Sequence, residues 1–334
     1  MSKEIIEQVV FGAALVESLT DSSSYHRRNL IRPNLGEKIQ YHLKFAEENN
    51  QTNIVQVFSL PRDSSALDPL PSDDLEWFAF SALASLSGDT HKYWLDLLPK
   101  YQQISARVGT KIALANHLAG NHRFAGYDNP QYFDDISLIR AIAIALVHRN
   151  SRANFERDLA IDISFTHALD GLWAAYAVGE LTWLLLNGAS KEVALDKAIK
   201  SIPASSWLES NVNQALEVSS GARGIFDRVN RIERSIINRV PSHPTSAPET
   251  LACLFAHARF AQSQSEYLMS GYLHSRLLDS LPALHGALAA LLFGEQWIPR
   301  SYLESSVELV GCSLPEMAGL PLSTLCQLIY GQST

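Results

Sequence analysis

Strand-like alternation of apolar and polar residues is nearly absent from the 334 residues, and turn pairs such as Asn187-Gly188 do not separate β-rich runs. Hairpins, sandwiches and barrels are thereby excluded. Basic charge is scarce as well: 27 Lys and Arg against 35 Asp and Glu leave a net charge of -8 and a pI near 5.8. A protein that holds nucleic acid by neutralising phosphates needs the opposite balance. The only compact basic cluster, His26-Arg27-Arg28, is too short to supply it, so no nucleic-acid partner is expected. Cysteines number three, Cys253, Cys312 and Cys326, an odd and widely spaced set with no metal-binding pattern. That usage points to a reduced, cytoplasmic setting. Long apolar runs are missing too. The most apolar later segment, Gly171 to Leu186, is broken by Glu180 and is too short to cross a bilayer comfortably. Lys3, Glu4 and Glu7 precede the first apolar run, which does not resemble a cleaved secretory signal. A soluble chain with no membrane partner is expected, and no fixed-period repeat divides it.

What remains is helical periodicity and ample core material: 46% of residues are hydrophobic, enough for a sizeable interior. The length allows one large domain or two. Helices are predicted over Ile5–Leu19, Tyr41–Glu48, Asp73–Ser87, Tyr93–Leu98, Ile104–Leu118 and 133–148. The second half continues with Phe155–Ile161, Leu169–Leu186, Lys191–Ile202, Trp207–Ser219, Glu249–Gln262, Glu266–Arg276 and Pro282–Phe293. Arg223 to Arg239 carries five arginines at helical offsets, the look of a solvated face. Pro241, Pro244 and Pro248 mark the one long break, read as a surface loop at 240–248. Trp77, Trp173 and Trp183 fall on apolar helix faces and read as core.

The chemistry-bearing stretch is Ser72-Asp73-Asp74-Leu75-Glu76-Trp77, two adjacent carboxylates heading an apolar helical run. Ser and Asp there can cap free helix N–H groups, the ordinary role of such residues at a helix start. They also offer hard oxygen ligands to a cation. Glu17, at the end of the first helix, is either a solvated end charge or a carboxylate at the mouth of a buried helix. His117 and His122 lie five apart across Gly120, a poor spacing for two ligands on one face, and read as structural or surface histidines.

The order of several short motifs resembles the ADP-ribosylglycohydrolase family. Gly12-Ala13-Ala14-Leu15-Val16-Glu17-Ser18-Leu19 is similar to its opening helix, and Ser72-Asp73-Asp74-Leu75 to its Thr-Asp-Asp-Thr motif. Gly109-Thr110, Ser137-Leu138-Ile139-Arg140-Ala141, Ser164-Phe165-Thr166-His167, Ala247-Pro248-Glu249-Thr250 and the run from His285 to Pro299 follow in the family's order. The likeness extends from about residue 9 to residue 303.

The resemblance implies an all-α fold, a single compact orthogonal helical bundle over 1–334 whose last long helix packs back on the first. It implies a cleft where two divalent metal ions sit between the first Asp pair and a Gly-Gly-Asp-Thr-Asp-Thr segment. Here that segment is Ser275-Arg276-Leu277-Leu278-Asp279-Ser280, with Leu277 in place of an Asp. Ser72, Asp73, Asp74, Asp279 and Ser280 remain as metal ligands, and Asp73, Asp74 and Asp279 as the catalytic set. Glu17, Asp135, Arg140 and His167 fall on substrate-binding positions. A Leu cannot replace a carboxylate, so one Mg²⁺ or Mn²⁺ ion at most, or none, is expected, with Arg276 as the group that could stand in for the missing one. The family's Gly-Asn-Gly turn is Asp134-Asp135-Ile136 here, and its two carboxylates would repel a pyrophosphate unless a cation intervenes. Arg140 either recognises an anion or forms a buried pair with Asp134 or Asp135. Two functions follow from the resemblance. One is a hydrolase that cleaves an N- or O-glycosidic bond of ADP-ribose or a related ribosyl compound, acting on an ADP-ribosylated protein or a small ADP-ribose-type ligand. The other is a catalytically inactive member serving as a ligand-binding or interaction scaffold.

Overall fold

The structure, a computed structural model, describes residues 3–20 (backbone only for 18–20), 48, 71–237, 245–271, 273–274, 277–294 and 296–331. Short oxygen side chains set many of its helix starts. Ser72, Asp89, Ser151, Ser190, Ser206 and Ser263 each accept a hydrogen bond from a backbone N–H of the first turn they precede. Each such cap contributes about 1 kcal/mol. The helices they and their neighbours begin are α1 (Lys3–Thr20), α2 (Asp73–Leu86), α3 (Thr90–Leu97), α4 (Val108–Leu118), α5 (Ile136–Val147), α6 (Arg152–Ser164) and α7 (Leu169–Leu186). Then come α8 (Lys191–Lys200), α9 (Trp207–Ser220), α10 (Ile225–Ser235), α11 (Ala247–Phe260), α12 (Gln264–Ser270), α13 (Leu281–Phe293), α14 (Arg300–Leu303) and α15 (Leu322–Gly331). Among the described residues the only strand-like features are two isolated antiparallel bridges, Asp134 with Ser246 and Glu308 with Pro321. The fold is all-α.

Helix α5 is buried at every position and packs against α2 and α7. A twelve-residue helix without one exposed position must be covered all round, which a sequence apolar at every position but Ser137 and Arg140 permits. One connected core runs from Ile6 of α1 to Ile329 of α15. As expected of the closing helix, α13 lies on α1. The crossing is made at Gly12 and Gly286, where a Cβ on Gly286 would stand 2.0 Å from the Gly12 carbonyl oxygen. No side chain fits there, and the two backbones meet directly.

Several expectations change. The predicted helix from Ile104 begins only at Val108, because Leu98–Gln103 forms a 3₁₀ segment and the chain then runs irregularly to Arg107. In the 240–248 break, residues 240–244 lie outside the described set, but Ser246, Ala247 and Pro248 are buried rather than a surface loop. They are held because Ala247 N–H donates to the Phe133 carbonyl and Asp135 N–H to the Thr245 carbonyl. The arginine-rich helix is not wholly solvated: Arg228 of α10 is buried, paired with Glu266 and bonded to the Phe260 carbonyl. Of Tyr41–Glu48, only Glu48 lies among the described residues. Trp77 is fully buried, whereas Trp173 and Trp183 are half-buried against the core.

Candidate active site around Arg107

Three chain segments converge on one guanidinium. Helix α2 brings Asp73 and Asp74 at its first two positions, with Ser72 as its N-cap. The turn before α5 brings Asp134 and Asp135, fixed by the pairing with residues 245–247 and by an Asp134 Oδ1 that accepts from the Ile136 N–H at 3.0 Å. The entrance to α13 brings Asp279 and Ser280. Arg107, immediately before α4, reaches into their midst. Its Nε lies 3.4 Å from Asp73 Oδ2, and its Nη2 lies 3.4 Å from Asp74 Oδ2, 3.2 Å from Asp279 Oδ2 and 2.8 Å from Ser280 Oγ. Its Nη1 lies 3.4 Å from Asp134 Oδ1 and also donates to Asp135 Oδ1. Asp135 further accepts from Thr250 Oγ1 at 2.6 Å and Ser280 Oγ at 3.1 Å.

Local sequence explains how Arg107 gets there. A Cβ on Gly109 would lie 2.7 Å from the Gln131 carbonyl oxygen, so only glycine lets the start of α4 press against the 131–134 segment. On the other side the Ser105 N–H donates to the Ser313 carbonyl. The 311–314 loop is in turn gripped by Glu76, whose carboxylate accepts from the N–H groups of Cys312, Ser313 and Leu314 at 2.7, 2.7 and 2.8 Å. Glu76 thus serves the opposite end of the chain, whereas its position three residues after Asp73 suggested a helix-start acid.

The cluster is buried. The Arg107 side chain is 8% exposed and those of Asp73, Asp74, Asp134 and Asp135 3% or less, leaving Asp279 at 19% as the acid nearest solvent. Among the described residues five carboxylates surround one cation, an excess of negative charge that low-dielectric surroundings magnify. Burial pushes Asp74 well above the ordinary carboxylate range, with Asp73, Glu17 and Asp279 adding to the rise against the pull of Arg107. Burial raises Asp135 and lifts Asp134 to about 7. Burial works against the Arg107 charge, but Asp279, Asp73, Asp74 and Asp135 outweigh it and hold its proton more tightly than usual. Glu17 is buried and joins this centre by accepting from Ser72 Oγ.

Arg140 and His167 form a neighbouring layer. The partner of Arg140 is Asp162 of α6, not Asp134 or Asp135: Nη2 to Oδ1 is 2.6 Å and Nε to Oδ1 is 3.0 Å, with both side chains fully buried. Asp162 also accepts from Trp94 Nε1 at 2.9 Å and from Ser81 Oγ, and the Arg140 guanidinium lies 4.7 Å from the Trp94 ring centre. The pair makes Arg140 part of the packed interior, since Asp162 takes two of its guanidinium nitrogens. Arg140 Nη1 donates to Thr166 Oγ1 at 2.7 Å, and Thr166 Oγ1 lies 2.7 Å from His167 Nδ1. Burial, and then the charges of Arg140 and Arg107, push His167 well below its ordinary pKa, so its ring is neutral. His117 is structural: its Nε2 lies 2.9 Å from the Phe165 carbonyl and its ring stacks on Phe165.

The family model for ADP-ribosylglycohydrolase matches residues 24–331. The chain belongs to that family. A solved structure titled "ADP-ribosylglycohydrolase-related protein complex" superposes with a TM-score of 0.58 at 18% identity, covering 98% of this chain and 99% of that one, and so shares the fold. No curated protein sequence matches. The ADP-ribosylglycohydrolase match begins after α1, so the Gly12 to Leu19 likeness stands outside it, and it continues past residue 303 through α15. Family membership supports a hydrolase-type function.

The residues expected to hold the ADP-ribosylglycohydrolase metal ions do not fit them as arranged here. Hard divalent cations need a near-octahedral shell of oxygens pointing at one centre. Asp73 Oδ2, Asp74 Oδ2, Asp279 Oδ2 and Ser280 Oγ point at the Arg107 guanidinium instead. Ser72 Oγ is committed to Glu17 and to the Asp74 N–H, and Leu277 is buried in the apolar core. Among the described residues no group of three or more His, Cys, Asp or Glu is disposed to hold a metal ion. Arg276, expected as the stand-in cation, lies outside the described residues. The cation at the centre is Arg107, which the sequence reading passed over. Its one available signal was position, two residues before the Gly109-Thr110 motif.

Proposed function

We propose that this chain is a glycosidic hydrolase of the ADP-ribosylglycohydrolase type, cleaving an N- or O-glycosidic bond of ADP-ribose or a related ribosyl compound with its own carboxylates organised by Arg107. The supporting observation is the convergence of Asp73, Asp74, Asp134, Asp135 and Asp279 on one guanidinium. Cleaving such a bond calls for a proton donor to the leaving group, a base for water, and negative charge beside a cationic oxocarbenium-like transition state. The excess carboxylate charge supplies the last. Asp134, with its pKa raised to about 7 by burial, holds a proton near neutrality and suits the acid. Asp279, the most exposed of the set, suits the base that meets water. Net negative charge disfavours a pyrophosphate at the centre, so the ribosyl end of the ligand is the part that enters. The free Cys253, Cys312 and Cys326 suit a reduced, cytoplasmic setting.

The test is release of ADP-ribose from ADP-ribosylated protein and from small ADP-ribose esters, with and without chelator. Turnover that survives chelation supports this reading, and absence of turnover on every such substrate overturns it. One observation favours a second reading, a ligand-binding or interaction scaffold: Arg107 ties down Asp134 and Asp279, the acids that catalysis would use. Saturable binding of ADP-ribose without turnover would select it.

A further inference from the structure

We infer that Arg107 is the resident cation of this acidic centre, so that its guanidinium and a divalent metal ion exclude one another. Three independent features carry the inference. All three guanidinium nitrogens are engaged, Nε by Asp73, Nη1 by Asp134 and Asp135, Nη2 by Asp74, Asp279 and Ser280. A planar fork of fixed charge meets oxygens spread over three chain segments, which a flexible lysine ammonium does less well. The backbone beneath is tethered: Lys111 N–H donates to the Arg107 carbonyl at 2.9 Å, Ser105 N–H to Ser313, and Gly109 abuts Gln131. Finally, Leu277, which stands where the family resemblance places a carboxylate, packs in the core and offers no oxygen to a metal ion.

The charge balance makes the exclusion mutual. Removing Arg107 would take away the cation that all five carboxylates share, and carboxylates that lose a common cationic partner take up protons or another cation. The guanidinium supplies one positive charge with hydrogen-bond donors and needs no coordination sphere. A divalent ion would supply more charge but would draw on the same carboxylates of Asp73, Asp74 and Asp279 that the guanidinium already engages. This holds whether the cleft turns a substrate over or only binds it.

Titration of chelator-stripped protein with Mn²⁺, followed by calorimetry and by loss of the free-ion paramagnetic signal, tests it without reference to activity. Wild type is expected to show no tight site, and Arg107→Ala to gain at least one, bound at least about tenfold more tightly than any wild-type site. Arg107→Lys, which keeps a charge in place, is expected to gain none. Should Arg107→Ala be isolated unfolded, Mn²⁺ is expected to restore its helical circular dichroism, and failure to do so counts against the inference. Any tight site in wild type, or no gain in folded Arg107→Ala, would overturn it.

Discussion

Arg107 Nη2 stands 3.2 Å from Asp279 Oδ2, joining the residue before α4 to the turn that opens α13. That contact brings the last predicted acid of the site to the first two, Asp73 and Asp74, through a cation from a different part of the chain. Asp73→Asn or Asp279→Asn keeps size, removes one of five crowded charges and leaves Arg107 four carboxylate partners. Turnover is expected to fall to background in both while Tm moves by only a few degrees in either direction. Substrate release assays and calorimetry on the same preparations check it; full activity in both variants would remove these acids from the mechanism.

The acidic centre should weaken the fold as pH rises. The folded pKa of Asp134 is about 7 against an ordinary 3.8, with burial as the cause. A carboxyl raised on folding contributes stability that is fully present below its unfolded pKa and is lost as pH climbs through the folded one. Asp134→Asn, whose amide oxygen still accepts from Ile136, removes that loss. Buried histidines such as His257 act in the opposite sense at low pH, so the difference between wild type and variant is the quantity to measure. Between pH 5 and pH 8, at roughly those limits, Asp134→Asn is expected to gain Tm relative to wild type; a difference that stays flat would refute the raised pKa.

Arg140 is expected to act on stability before activity. Its pair with Asp162 is fully buried, and removing one partner strands the other. Asp162→Ala should cost about 3–5 kcal/mol by chemical denaturation, and Asp162→Asn less, since it still accepts from Trp94 Nε1 and Ser81 Oγ. A loss well under 1 kcal/mol, on the order of a surface pair, would place the ion pair outside the core it occupies here.

A second buried network fixes histidine tautomers. Arg228 Nε donates to His257 Nδ1 at 3.2 Å, so the His257 proton sits on Nε2 and is donated to His274 Nε2 at 2.7 Å. His274 then carries its proton on Nδ1, facing Glu233 Oε1 at 3.2 Å. Nitrogen-15 chemical shifts should show His257 as the Nε2–H form and His274 as the Nδ1–H form; the reverse pattern would break the chain of donors.

The all-α class and most helix bodies were legible because apolar periodicity and Ser or Asp caps are local signals, as in α8 and α9. Asp73, Asp74, Asp135, Asp279 and Ser280 were found through motif order, and the structure brings them together. Three features were not legible, each for being non-local. Arg107 gains its meaning only from acids contributed by α2, the α5 turn and α13. Asp162, one residue past the predicted Phe155–Ile161 helix, carried no local sign that it is the counter-ion of Arg140. Glu76 matched a helix-start pattern so well that its real partners, the N–H groups of Cys312 to Leu314, had no reason to be sought.

The central claim, that a guanidinium holds the place expected of metal, is tested most directly by a crystal structure of the wild-type protein grown in Mn²⁺ and measured at the manganese absorption edge. The account predicts Arg107 seated among Asp73, Asp74, Asp134, Asp135 and Asp279, with no anomalous density between those acids. Anomalous peaks between Asp73, Asp74 and Asp279, with Arg107 turned away from them, would contradict it.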